Sequence, residues 1–173
     1  VDPISGKQPL INKEENLILS VNGEIYNHRE LRTDHCKHYN FKTESDCEII
    51  LALYEKYGID FIDMLNGIFA FALFDKEKNH FLIARDHIGI IPLYKGYNEN
   101  GTFFIASELK ALESYCNEIS IFPPGHYMTG NSVEPVKWYK RKWISLSGTN
   151  TENIKTNELK ETLENAVHRQ LMS

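Results

Sequence analysis

The 173-residue sequence carries no basic excess: 19 Lys and Arg stand against 24 Asp and Glu, a net charge of −5. No cationic footprint for a nucleic-acid backbone follows from that balance. No apolar run approaches the roughly 20 residues that a membrane helix needs. Cysteine is scarce, and the three present, Cys36, Cys47 and Cys116, show neither CxxC spacing nor an even count. That speaks for a reducing compartment and against a disulfide framework or structural zinc. A phosphate-binding glycine loop, a dinucleotide fingerprint and a Ser/His/Asp order signature are all missing. So are internal repeats and low-complexity tracts. Val1-Asp2-Pro3 lacks the charged-then-apolar form of a signal peptide. The expectation is a cytoplasmic protein with neither nucleic acid nor membrane as partner.

What is present is ordinary for a globular chain, 42% apolar and 25% charged. A chain of this length buries roughly two-thirds of its unfolded surface. Leu17 to Val21 reads as a buried strand ending in a tight turn at Asn22-Gly23. Asn27 is placed to cap a short helix containing Leu31. Ser45-Asp46-Cys47-Glu48 has the form of a capping box, with Ser45 bonding the N–H of Glu48 and Glu48 reaching back. The helix behind it runs to about Gly58, and Asp60 to Gly67 reads as a second short helix. Ile68 to Phe74 is almost wholly apolar, which suits a strand buried on both faces. His80 to Ala84 pairs with it across a polar turn. Pro92 to Tyr97 and Thr102 to Ala106 form another hairpin, and Ser107 can cap a helix with Leu109 and Leu112. Tyr127 to Thr129 and Val136 to Tyr139 are strand-like. Residues 145–156 read as a polar linker before a last helix, on which Leu159, Leu163, Ala166, Val167 and Leu171 recur at helical spacing. That apolar face finds little sequence to pack against. With no initiator Met at the start, the expectation is a piece of a longer protein, cut at both ends.

Chemistry has few places to sit. Asn22-Gly23 sets a side-chain amide beside a flexible backbone N–H, the pair of donors that a developing oxyanion needs, and Glu24 could receive a substrate ammonium. On the residues alone a simple turn is the favoured reading. Asp46 at a helix start is favoured as a structural carboxylate, although such a group can hold a substrate amine. Cys47 sits in a first turn, where thiolates are stabilised, but it falls on the apolar face with Ile50, Leu51 and Tyr54, so core packing is preferred. His35 and His38 could pair on a metal but have no third ligand at a supporting spacing; solvated loop histidines are the better account. Arg85-Asp86-His87-Ile88-Gly89 describes a shaped loop, read as a structural turn with an internal Arg85–Asp86 ion pair.

In order and spacing, Ser20-Val21-Asn22-Gly23-Glu24-Ile25-Tyr26-Asn27, Ser45-Asp46-Cys47-Glu48, Gly67-Ile68-Phe69-Ala70-Phe71-Ala72, the run from Ala84 to Tyr94, and Ala106 to Leu112 resemble one family. It is the glutaminase half of the glutamine-dependent asparagine synthetases, which are class II glutamine amidotransferases. The resemblance implies an α+β fold, the N-terminal-nucleophile hydrolase four-layer αββα sandwich with two antiparallel sheets, here lacking its leading strands. It implies a glutaminase domain over residues 1–144, a linker over 145–156, and the first helix of a synthetase domain over 157–173. In that family an N-terminal cysteine attacks the side-chain amide of glutamine, and its own α-amino group moves the proton. By position, Asn22 and Gly23 would form the oxyanion hole. Glu24 and Asp46 would hold the glutamine α-amino group, and Val1 would end a glutamine-binding segment.

That cysteine is not among these residues, so the expected outcome is a chain unable to hydrolyse glutamine by itself, although its parent could. Absent leading strands should also leave unpaired sheet edges, an aggregation hazard. No metal or cofactor is expected in this chain; ATP and Mg would belong to the parent's synthetase domain, which uses ammonia to turn aspartate into asparagine. The partners implied are L-glutamine and the chain's own C-terminal synthetase domain, and a homodimer is admitted. Two alternatives stay open: the glutaminase domain of another synthetase-coupled amidotransferase, such as a β-lactam-synthetase-like homologue, and a glutaminase-dead docking module.

Overall fold

A computed structural model describes residues 4–130, 132, 134–141 and 156–171. In chain order the elements are β1 (Leu10–Ile11), β2 (Leu17–Ile25), α1 (His28–Asp34), α2 (Ile49–Tyr57), β3 (Gly67–Asp75), β4 (His80–Arg85), β5 (Tyr94–Tyr97), β6 (Phe103–Ala106), β7 (Glu118–Ile121), β8 (His126–Thr129), β9 (Val136–Lys137) and α3 (Thr156–Gln170). Short 3₁₀ turns cover Asp46–Glu48, Gly58–Met64 and Leu109–Ala111. One antiparallel sheet has six strands in the order β1-β2-β3-β4-β8-β9, and a second has three in the order β6-β5-β7.

The apolar run of β3 is explained by what covers its two faces. Phe69, Phe71 and Leu73 point into a core shared with Leu19 and Val21 of β2 and the buried residues of α2. Ala70 points the other way, into a smaller cluster with Ile83, Leu93, Phe122 and Met128, against which Phe103 and Ile105 of β6 pack. The period of two thus feeds two cores from one strand. Helix α2 is buried along Ile49 to Tyr54 rather than on one stripe, because sheet and surrounding loops enclose it. Each large aliphatic side chain so enclosed contributes about 1.5–3 kcal/mol.

Several local expectations change. β2 does not turn at Asn22-Gly23 but runs on to Ile25, paired residue for residue with β3 as far as Ile25 against Gly67. The Ser45 hydroxyl accepts from the N–H of Cys47, and the N–H of Glu48 goes to the Ser45 carbonyl instead. The Glu48 carboxylate reaches back past it to the backbone N–H groups of Lys42 and Thr43. A tight 3₁₀ start replaces the capping box because the preceding loop offers Glu48 better donors. Asn27 precedes α1 without a side-chain cap; its amide instead ties Met64 O to Asn66 N. Ser107 caps nothing, and the segment after it is a single 3₁₀ turn. β1 and β7 have no counterpart in the sequence reading. The linker over 145–156 lies outside the described residues save Thr156, which opens α3. That helix is exposed throughout, with Leu159 and Leu163 on its surface. Among the described residues β6 and β7 are the unpaired edges of the smaller sheet.

Candidate functional site

The outer edge of β2 organises the site. In the β2–β3 register Gly23 faces Phe69. The N–H of Phe69 donates to the Asp86 carboxylate, and its carbonyl accepts from the Asp86 N–H, so both groups point away from β2. In an antiparallel ladder the facing residue must then turn its own N–H outward. By that alternation the N–H groups of Leu17, Leu19, Val21, Gly23 and Ile25 all look to the outer edge. Four of these rungs are filled by different chemistry. Asn12 Oδ1 accepts from Leu17 at 2.9 Å. β1 pairs Leu10 with Leu19. The Gln8 carboxamide accepts from Val21 N at 2.7 Å and donates to Val21 O at 2.6 Å. Asp46 Oδ2 accepts from Ile25 N at 2.7 Å. The N–H of Gly23 alone on this edge has no partner among the described residues.

Gly23 is glycine for two reasons. Its φ of +143° belongs to backbone that L side chains rarely adopt, and a Cβ there would overlap the Ile68 carbonyl oxygen. Gly67 mirrors it, since a Cβ on Gly67 would overlap the Glu24 carbonyl. The two strands therefore approach closely where the candidate donors lie. Asn22 and Glu24, one residue to either side, share the face opposite the helical core. Asn22 lines a cleft of about 270 Å³ between the sheets with Ser20, Ala70, Ala72, Ile105 and Ser107.

Asp46 is 3% exposed, and Cys47 lies beside it. The Cys47 thiol donates to Gly23 O and to Asp46 Oδ2, both at 3.6 Å. Burial first, then the Asp46 carboxylate and to a smaller degree Glu24, push that thiol well above the ordinary range. A protonated, donating sulfur cannot be the nucleophile. The structure thus brings Asn22, Gly23, Glu24 and Asp46 to one corner; Val1 lies outside the described residues. Burial pushes the neighbouring His28 imidazole below 6.5, against the pull of Asp46, and its Nδ1 is buried without a partner among the described residues. Neither His28 nor Gln8 was identified from the sequence. His28 directly follows the matched segment from Ser20 to Asn27, whereas nothing local marks Gln8.

The Arg85-Asp86 loop is a structural turn, but the ion pair within it does not form among the described residues. Arg85 spends its guanidinium on the carbonyls of Ile91, Gly89 and Phe122, at 2.7–2.8 Å. Asp86 Oδ1 accepts from Ile88 N and Gly89 N. Carbonyls suit a donor fork and amides suit a carboxylate, so each side chain binds backbone instead of the other. His35 is half-buried at the end of α1 and shares a hydrogen bond with Tyr57 OH at 2.9 Å, so it is not a solvated loop residue.

Comparison with known proteins meets this geometry. The model of the glutamine amidotransferase domain family matches residues 1–162. The chain belongs to that family. Over 173 residues it is 48% identical to asparagine synthetase B [glutamine-hydrolyzing] of Escherichia coli K12, and 44% identical to asparagine synthetase [glutamine-hydrolyzing] 1 of Arabidopsis thaliana. A probable asparagine synthetase of Dictyostelium discoideum is 47% identical over 176 residues, covering 98% of this chain. The first two matches cover 100% of this chain, yet it spans only 29–31% of the three relatives' length. Among solved structures, the allosteric regulatory enzyme of purine biosynthesis has a TM-score of 0.68 at 22% identity, over 79% of this chain and 32% of the other. The glutamine phosphoribosylpyrophosphate amidotransferase from B. subtilis gives 0.63 at 24%, over 75% and 30%. These two share the α+β fold of glutamine amidotransferases. No described helix is long and apolar enough to cross a membrane.

Proposed function

We propose that this domain forms the glutamine site of a glutamine-hydrolysing asparagine synthetase. The observation that carries the reading is the single open rung of β2. The Gly23 N–H lies between Asn22 and Glu24, with Asp46 next along the edge. In this reading the glutamine α-ammonium sits between Glu24 and Asp46, and its side-chain carbonyl oxygen meets the Asn22 carboxamide and the Gly23 N–H. The attacking thiol comes from outside these residues as the N-terminal cysteine implied by the family resemblance. Cys36 and Cys47 are buried, and burial raises both thiols. Thiolate attack on the amide carbon forms a tetrahedral oxyanion, which the two donors stabilise. Its collapse expels ammonia, the cysteine's α-amino group carrying the proton, and water then cleaves the thioester to glutamate. The helix α3 opens a synthetase domain, where ammonia, ATP and Mg convert aspartate to asparagine.

The test is glutamate release from L-glutamine by the full-length protein, with asparagine formation measured alongside. Asn22→Ala should lower kcat about 100-fold or more, the usual cost of an oxyanion donor. Asp46→Asn should instead raise KM for glutamine about tenfold or more by removing a charge from the ammonium. Unchanged kinetics in both variants would overturn the site.

A further inference from the structure

The edge of β2 carries a residue outside the proposed glutamine contacts that sets their geometry. Gln8 lies in the loop ahead of β1, 13 residues before its partner. Its carboxamide nevertheless makes both hydrogen bonds that a neighbouring strand would make to Val21. It donates to the carbonyl of the peptide that joins Val21 to Asn22 and accepts from the Val21 N–H. We propose that Gln8 is a positioning residue for the oxyanion donors, a one-residue strand that stops the ladder one rung short of Gly23; this rests on the functional reading above.

The geometry gives it two effects. The Val21–Asn22 peptide is the base from which the Asn22 side chain projects, and clamping its carbonyl fixes the plane of that peptide. Beyond Asn22, Cys47 holds Gly23 O and Asp46 holds Ile25 N. The Asn22–Gly23 peptide lies between these clamps, its carbonyl turned inward to the ladder with Ala70 and its N–H turned outward. Its N–H is presented with no freedom to tilt and with no acceptor among the described residues to compete for it. Only a primary amide can fill Val21 in this way, since it alone offers a donor and an acceptor side by side in one plane at neutral pH. A carboxylate in its place would set an oxygen against Val21 O.

Gln8→Met in the full-length protein removes both bonds while keeping length and flexibility. Misplacing a donor pair should lower kcat for glutamine hydrolysis about tenfold or more. KM for glutamine should move less than about twofold, because Glu24 and Asp46 hold the ammonium and Gln8 touches neither. Gln8→Glu is the second variant, for use if the methionine variant does not fold. It keeps the acceptor for Val21 N–H but sets an oxygen against Val21 O in place of the donor, so its kcat should also fall about tenfold or more. A role in stability alone would lower the melting temperature and leave kcat per folded molecule at the wild-type value, and that result overturns the proposal. So does a loss confined to KM. A wild-type protein that releases no glutamate from glutamine overturns the functional reading and this proposal with it, whereas an active wild type with kcat unchanged in both variants overturns this proposal alone.

Discussion

The thiol of Cys47 donates to the carbonyl oxygen of Gly23 across 3.6 Å. A residue whose helix-start position invites a nucleophile reading, but whose apolar neighbours favour core packing, is a buried hydrogen-bond donor with a raised pKa, enclosed behind the strand it supports. Chemical labelling separates these roles. In the native protein Cys116, which is half-exposed, should alkylate first among the three thiols. Cys36 and Cys47 should react about 100-fold more slowly or worse, rising to the rate of Cys116 only in denaturant. Mass spectrometry of the alkylated peptides reads this directly, and rapid native labelling of Cys47 would contradict its burial.

Gly23→Ala should destabilise the fold by at least about 2 kcal/mol, combining an unfavourable φ with overlap on the Ile68 carbonyl. Urea unfolding followed by tryptophan fluorescence measures it. A cost near zero would mean that β2 and β3 are further apart than described.

Arg85→Lys should cost about 2–4 kcal/mol, since one ammonium cannot reach the three carbonyls the guanidinium holds. Limited proteolysis adds a local readout: cleavage between Asp86 and Ile91 should speed up in the variant before any global unfolding. Equal cleavage in both proteins would count against the role of the clamp.

How much of this was legible in the sequence depends on how local each cause is. The run from Ile68 to Phe74 announced a strand buried on both faces, and its two cores follow from alternation alone. Asn22, Glu24 and Asp46 are legible in the sequence as candidates only, by their chemistry and by the family wording around them. Asn22-Gly23 was misread as a turn because the dipeptide's local preference points that way, while pairing with Gly67 to Ala70 overrides it across more than 40 residues. β1 is two residues long and exists by virtue of β2, so no periodicity could mark it. The Arg85–Asp86 pair was adjacent in sequence, yet both side chains had stronger demands from the carbonyls and amides of a loop whose path was not visible.

Acid stability offers a test far from the site. Asp75 accepts from the N–H and the ammonium of Lys78 and from Tyr54 OH. Burial works to raise its carboxyl, but these donors outweigh it and hold the group below its ordinary 3.8. A folded pKa below the unfolded one stabilises the protein above that ordinary value, and the contribution is lost as pH falls through the folded pKa. Lys78→Met should raise the folded pKa and move the acid-unfolding midpoint upward by about a few tenths of a pH unit, modest because Lys78 is largely exposed. Circular dichroism against pH would show it, and a midpoint moving downward would refute the pairing.

The varied sealing of β2 has a consequence for trespass. An intruding strand needs consecutive rungs to zip onto, and this margin grants it one. Asn12, Gln8 and Asp46 occupy their positions with side chains, and among the described residues only the two of β1 run alongside, too few to guide a second chain into register. A lone N–H can hold a single atom of a small guest but cannot template a polymer. The same arrangement that leaves a donor available to a substrate oxygen denies a foothold to another copy's strand.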